Sequence, residues 1–133
     1  MKGQCLCKSV TIEAPDVGEV GLCHCSMCRR WGGGPMFAVH VADGITVDGA
    51  DNVTHYQSSD WAQRAFCKTC GSHLYYKLLP SNEYILSAGL FQDRDFAMNG
   101  QIFIDEKPGW YALANETPTM TGAEVFAKFA PPE

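Results

Sequence analysis

The sequence predicts a mainly β domain of antiparallel sheets with a C-terminal helix. Three observations carry that expectation. Apolar residues recur in short runs, several with a period of two, between clusters of Gly, Pro, Asn, Asp and Ser. A helical cap followed by an apolar face occurs near the C-terminus, at Thr121 to Phe129. The seven cysteines fall in three close-spaced groups rather than spread along the chain, which is the pattern of metal ligands and not of a disulfide framework.

Taken in order, residues 4 to 13 read as one strand. Val10 and Ile12 alternate with Thr11 and Glu13, and Cys5 and Cys7, two apart, would project from one face of an extended chain. Pro15 and Asp16 end it. A second strand over 18 to 23 leads into Cys23-His24-Cys25-Ser26-Met27-Cys28-Arg29-Arg30. If the chain stays extended, Cys23 and Cys25 share a face and His24 points the other way. Cys28 then requires a turn or a helical start. Trp31-Gly32-Gly33-Gly34-Pro35 is expected to be a loop.

Short strands are expected over 36 to 41, 45 to 47 and 53 to 57, with a hairpin near Asp48-Gly49 and Asp51-Asn52 and a break at Ser58-Ser59-Asp60. Arg64 to Phe66 leads into Cys67-Lys68-Thr69-Cys70-Gly71, which has the form of a metal knuckle in which Gly71 supplies a positive φ. Residues 74 to 78 and 84 to 88 flank the Pro80-Ser81-Asn82 turn as a hairpin. Residues 102 to 104 read as a short strand, Pro108-Gly109 as a turn and Trp110-Tyr111 as packed aromatics. At the C-terminus Thr121 and Glu124 form a capping box, Val125, Phe126 and Phe129 share a face, and Pro131-Pro132 stop the helix. No βαβ alternation supports a parallel sheet.

The cysteines carry the chemistry. Two pairs, Cys5/Cys7 and Cys67/Cys70, supply four thiolates, the ligand set of a closed structural zinc site. Cys23, Cys25 and Cys28 supply three, which leaves the fourth ligand of a tetrahedral zinc to come from a substrate. The competing readings are free core cysteines, a redox pair at Cys67 and Cys70, and a second structural zinc closed by His24 or another side chain. Three thiolates leave an ion electron-rich, better suited to holding a sulfur nucleophile than to activating water. Arg29 and Arg30 beside Cys28, with Arg64, are candidates for binding a substrate carboxylate, and the first two also for offsetting thiolate charge.

The 133 residues make one domain, expected to span 1–133, and carry a formal charge of −5. An acidic chain without a basic tail argues against nucleic-acid binding. No long apolar run marks a membrane span, and no apolar leader follows Met1, so a cytoplasmic location is expected.

These motifs resemble those of the glutathione-dependent formaldehyde-activating enzyme family. The matching residues are Gly3-x-Cys5-x-Cys7-x-x-Val10, the run from Cys23 to Arg30, Ser58-Ser59, Arg64-x-Phe66-Cys67-x-x-Cys70-Gly71-Ser72-x-Leu74, Ala88-Gly89 and Ile102-Phe103-Ile104. The chain is shorter than the enzyme that names the family, and it reads Leu90-Phe91-Gln92-Asp93 where many members read Leu-Asp. The resemblance implies an Mss4-like (β-tent) zinc-binding fold. It implies one structural zinc on Cys5, Cys7, Cys67 and Cys70, and a second zinc, filled in part or in full as isolated, on Cys23, Cys25 and Cys28. It also implies a carbon–sulfur lyase activity that forms S-(hydroxymethyl)glutathione from glutathione and formaldehyde. The alternative is a non-enzymatic zinc-binding interaction or chaperone-like module, for which the four-cysteine site alone would suffice.

Overall fold

The computed structural model describes residues 1–129. Among them the chain forms eleven strands and two α-helices, so the fold is mainly β, as expected. The chain divides into two compact units: residues 1–18 with 38–96, and residues 19–37 with 97 onward.

In the first unit, β1 (Lys2–Gln4) and β2 (Thr11–Glu13) pair antiparallel. The single strand expected over 4 to 13 is therefore two strands joined by a turn at Cys5 to Val10. The Cys5 amide donates to the Val10 carbonyl and the Lys8 amide to the Cys5 carbonyl, with Lys8 at φ 67°. An extended Cys5-Leu6-Cys7 would hold side chains two residues apart at about 6.6 Å. The folded turn brings the two sulfurs to 3.6 Å. Alternation cannot tell these apart, because thiols that must converge have the same spacing as side chains that share a face. β5 (Thr46–Asp48) pairs with β2, so the hairpin expected after Asp48 does not form. Gly49 instead turns the chain at φ +83° into a 3₁₀ turn at Ala50–Asn52.

The rest of this unit is an antiparallel run in the order β4, β9, β8, β7, β6. β4 is Met36–Val41, β6 Val53–Ser59, β7 Ala62–Cys67, β8 His73–Leu78 and β9 Tyr84–Ser87. The expected hairpin around Pro80 is the β8–β9 pair. Ser58 interrupts β6 as a bulge between Gln57 and Ser59 and does not end it, so the break moves to Asp60-Trp61. Val10, Ile12, Val39, Leu74 and Leu86 are buried. Each fully buried aliphatic side chain contributes about 1.5–3 kcal/mol.

In the second unit, β3 (Glu19–Cys23) and β11 (Thr119–Met120) lie on either side of β10 (Ala97–Ile102), both parallel to it. This corrects the expectation of antiparallel pairing throughout. Parallel strands need a crossover of a dozen residues or more, and here it need not be a helix: residues 24–96 lie between β3 and β10. The expected strand at 102 to 104 ends at Ile102, because Phe103 enters the left-handed region at φ 54° and starts a 3₁₀ turn.

Helix α1 (Ser26–Gly32) occupies part of the expected glycine loop. Gly33 ends it at φ 87°, its amide donating to the Arg29 carbonyl. Helix α2 (Gly122–Phe129) carries the expected capping box: Thr121 N–H donates to Glu124 Oε1, and Glu124 N–H to Thr121 Oγ1. Pro131-Pro132, read as its stop, lies outside the described residues. Trp110, expected to be packed, is 73% exposed, and Phe126 and Phe129 on α2 are exposed as well.

Gly49 supplies a test of how the first unit is assembled. A Cβ added there would overlap the Ser9 carbonyl oxygen, at a φ that side chains rarely adopt. Gly49→Ala should therefore destabilise the protein by about 3 kcal/mol, from left-handed strain plus overpacking, read as a loss in urea unfolding free energy. A change under about 0.5 kcal/mol would contradict the packing of Gly49 against Ser9.

Candidate metal centres

The turn between β1 and β2 meets the turn after β7. Cys67 N–H donates to the Ser72 carbonyl and Gly71 N–H to the Cys67 carbonyl, with Gly71 at φ 78° as expected. The Leu6 amide donates to Ser72 Oγ, which joins the two turns directly. Cys5, Cys7, Cys67 and Cys70 thereby place four Sγ atoms within 4.8 Å of one another. Cys5 to Cys7 is 3.6 Å and Cys7 to Cys67 is 3.7 Å. A tetrahedron of metal–sulfur bonds of about 2.3 Å has edges of about 3.8 Å, so the residues fit a four-thiolate metal ion.

Donors surround these sulfurs. The Val10 amide donates to Cys5 Sγ at 3.4 Å and the Cys70 amide to Cys67 Sγ at 3.5 Å. Asn52 Nδ2 donates to Cys67 Sγ at 3.2 Å and to Ser9 Oγ at 2.7 Å. Ser9 Oγ lies 3.0 Å from Cys7 Sγ and 3.4 Å from Cys67 Sγ, and Ser72 Oγ 3.2 Å from Cys70 Sγ. Such donors favour the thiolate. The Ser72 hydroxyl and amide pull the Cys70 thiol down to about 5. The Ser9 hydroxyl, then the Cys70 amide, bring Cys67 to about 7.

The second group lies in the second unit, where β3 runs into α1. Cys25 is the N-cap of the helix: it stays extended (φ −63°, ψ 155°), and its sulfur accepts the Cys28 amide at 3.3 Å. A cap residue satisfies an orphan amide of the first turn. Here the capping atom is also a ligand-type sulfur, which folds Cys28 back toward Cys25. Glu106 Oε1 takes the Ser26 amide at 3.1 Å. The sulfurs of Cys23, Cys25 and Cys28 all lie within 4.8 Å of one another. Cys25 is pushed down to about 2, chiefly by the Cys23 thiol donating to it and then by Cys28, while Cys23 is pushed up. Among the described residues these three thiols form a second set that could hold a metal ion.

His24 does not close this group. It is fully buried, and both ring nitrogens are engaged elsewhere: Nδ1 with the Tyr111 hydroxyl at 2.7 Å and Nε2 with Gln101 Oε1 at 2.8 Å. The reading in which His24 supplies the fourth ligand therefore finds no support in this geometry. The arginines fall in different places. Arg29 is half-buried, with Nε donating to the His24 carbonyl at 3.0 Å. Arg30 is exposed on the last turn of α1. Arg64 is buried on β7 of the first unit, its guanidinium 4.9 Å from the centre of the Tyr76 ring.

Sequence reasoning did not single out Ser9, Asn52, Gln101 or Tyr111 for the sites. Ser9 could have been found, since it follows Cys7 by two. The others arrive by tertiary folding and carry no local signal. Hydrogen bonds to ligands outside the coordination sphere commonly contribute 10- to 100-fold in metal affinity. Asn52→Ala and Ser9→Ala should each speed metal loss to a chelator by about tenfold, with little change in the far-ultraviolet circular dichroism of the loaded protein. Unchanged release in both variants would contradict a role for these donors.

The family described as "Glutathione-dependent formaldehyde-activating enzyme" matches residues 1–106. An uncharacterized lyase of Schizosaccharomyces pombe is 36% identical over 127 residues, covering 93% of both chains. A Halomonas elongata protein named as a glutathione-dependent formaldehyde-activating enzyme is 31% identical over 85 residues, 56% of this chain and 54% of that one. A crystal structure of a Rhodobacter sphaeroides protein superposes with a TM-score of 0.62 at 30% identity, over 71% of this chain and 91% of the other. With its three cysteine motifs inside the matched span, the chain belongs to the glutathione-dependent formaldehyde-activating enzyme family.

Proposed function

We propose that this protein is a zinc-dependent enzyme of the carbon–sulfur lyase type. Its substrate would be a small thiol or the adduct of that thiol with an aldehyde. The names of the family and of its relatives indicate glutathione and formaldehyde as the pair. The observation that carries the reading is the group of Cys23, Cys25 and Cys28, three convergent sulfurs beside a histidine committed elsewhere through both nitrogens.

A tetrahedral zinc takes four donors, and when bound to these three thiolates it would take a substrate sulfur as the fourth and hold it deprotonated at neutral pH. In the synthetic direction a thiolate sulfur would attack the aldehyde carbon, forming the S–C bond as the carbonyl π pair passes to oxygen, and the proton given up by the thiol would end on that oxygen; the lyase direction would reverse each transfer. The chain itself contributes orientation. Arg29 and Arg30 are the proposed partners of substrate carboxylates, for which guanidinium forks are well matched; Arg64, buried in the first unit, is not assigned to this group. Arg29 and Arg30 follow Cys28 directly on α1 and also oppose the negative end of the helix dipole there.

The group of Cys5, Cys7, Cys67 and Cys70 is proposed as the structural zinc, giving two zinc ions per chain. It joins turns about 60 residues apart. Structural zinc contributes on the order of 10–16 kcal/mol of apparent binding energy in zinc-finger peptides, as much as the whole stability of a typical domain. Cys67→Ser should therefore be insoluble or lose most of its melting temperature. Cys25→Ser should lose one zinc and melt within about 5 °C of the unaltered protein, because its group closes only short loops. Equal disruption by the two substitutions would make the second group structural and would remove the main support for the enzyme reading.

Thiol binding has its own test. Cobalt replacing zinc should give a visible spectrum that changes on adding glutathione, and Cys25→Ser should abolish the change. Zinc and cobalt retention should weaken as pH falls, since every ligand thiol must lose its proton to bind. A spectrum indifferent to glutathione, cysteine and other biological thiols would contradict the proposal.

A further inference from the structure

We propose that the cavity beside the turn between β1 and β2 binds a small organic carboxylate, and that Lys8 is the residue that takes its charge. The inference lies wholly within the first unit and is independent of the reaction proposed for Cys23, Cys25 and Cys28.

The cavity has a volume of about 790 Å³, within the roughly 300–1,000 Å³ typical of small-molecule sites. β1 and the turn that follows it form one wall. The stretch after the Cys67–Cys70 knuckle and residues 87–93 form the others. The walls are fixed to one another. The Leu6 amide donates to Ser72 Oγ at 3.0 Å. β1 lies so close to the 3₁₀ turn at Ala88–Leu90 that a Cβ at Gly3 would come within 2.9 Å of the Leu90 side chain.

The lining selects the ligand. Leu6 and Leu90 supply apolar surface. Leu6 is 84% exposed, and an occupant would cover it. The charged groups are Lys2, Lys8 and Asp93. Two ammoniums against one carboxylate leave a net charge of +1, with His73 neutral, on a chain whose formal charge is −5. A cavity of opposite sign to its protein draws anions, and the apolar part of the lining suits a ligand with a carbon body as well as a charge. Lys2 is shared, its Nζ lying 3.8 Å from Glu13 Oε1 in an exposed pair. Lys8 makes no ion pair among the described residues, so its charge is left for the ligand.

Lys8 also stands where a lysine is unexpected. It holds φ 67° in the turn, a region that glycine occupies without steric cost and asparagine with little. The turn would form more easily with glycine there. Backbone strain of this kind concentrates at ligand-binding sites, where it is offset by what the side chain does. Here the side chain that the strained position retains is an ammonium that lines the cavity.

Titration of the labelled protein with 4-phenylbutyrate, followed by nitrogen-15 NMR, tests the proposal. The amides of Leu6, Lys8, Ser72 and Gly89 should shift saturably. The uncharged analogue 4-phenylbutanamide should bind at least about tenfold more weakly, the effect of losing a charge-assisted contact. Lys8→Gly should weaken 4-phenylbutyrate by about tenfold yet melt no lower than the unaltered protein, because glycine relieves the turn. Lys8→Gln, which keeps a side chain and loses the charge, should weaken it equally. Lys128→Gln removes the same charge from α2 and should leave the affinity within about twofold. No saturable shift at these amides, equal binding of the uncharged analogue, or full affinity in both Lys8 variants would overturn the proposal. Inorganic phosphate shifting the same amides as strongly as 4-phenylbutyrate would overturn it too, since the cavity would then collect any anion. Faster zinc loss to a chelator in Lys8→Gly, with affinity for 4-phenylbutyrate unchanged, would reduce Lys8 to offsetting thiolate charge and defeat its assignment.

Discussion

Four sulfurs from two distant turns must share a space a few ångströms wide, and the first unit is arranged to meet that requirement. Unscreened thiolates at 3.6–3.7 Å would repel one another strongly, so the arrangement makes sense with a cation at its centre. The turn between β1 and β2 folds at Lys8, the knuckle folds at Gly71, and the Leu6 amide finds Ser72 across the gap. Gly49 leaves room for the Ser9 backbone, and Ser9 and Asn52 then donate to the sulfurs. Each local feature has a reason in the convergence of the thiols, and few have one without it.

The same ligand chemistry does something different in the second unit. Cys23, Cys25 and Cys28 are near neighbours in sequence, so a metal bound there removes little chain entropy from the unfolded state. What this group has instead is orientation. Helix α1 starts on a cysteine sulfur, and the residue between the first two cysteines is a buried histidine locked through both nitrogens. That contrast, four ligands tying turns about 60 residues apart against three ligands from one short stretch, is the physical basis for proposing different roles for the two groups.

Much of this was legible in the sequence because cysteine spacing is a local signal. The pairs Cys5/Cys7 and Cys67/Cys70 and the run from Cys23 to Cys28 were readable from chain positions alone, as were the Gly71 turn, the hairpin at Pro80 and the Thr121/Glu124 capping box. The shape of the chain at the first pair was not, since a Cys-x-Cys spacing serves an extended strand and a tight turn equally. Helix α1 was hidden because its seven residues include Gly32 and have no conventional cap, the N-cap being a cysteine. The parallel pair of β3 and β10 was missed because residues 24–96 between them hold one short helix and then several strands of the first unit, and not the single crossover helix that announces a βαβ unit. Gln101 and Tyr111 lie 77 and 87 residues from His24, and no pattern within a window of sequence could join them.

The central claim is that the three-cysteine group takes the sulfur of a substrate as its fourth ligand. A crystal structure of the zinc-loaded protein grown with glutathione, with diffraction recorded across the zinc absorption edge, tests it most directly. The account predicts two zinc peaks per chain, the second bonded to Cys23, Cys25, Cys28 and the glutathione sulfur at about 2.3 Å. A single peak confined to the four-cysteine group, or a second zinc whose fourth ligand is a protein side chain with glutathione absent, would contradict it.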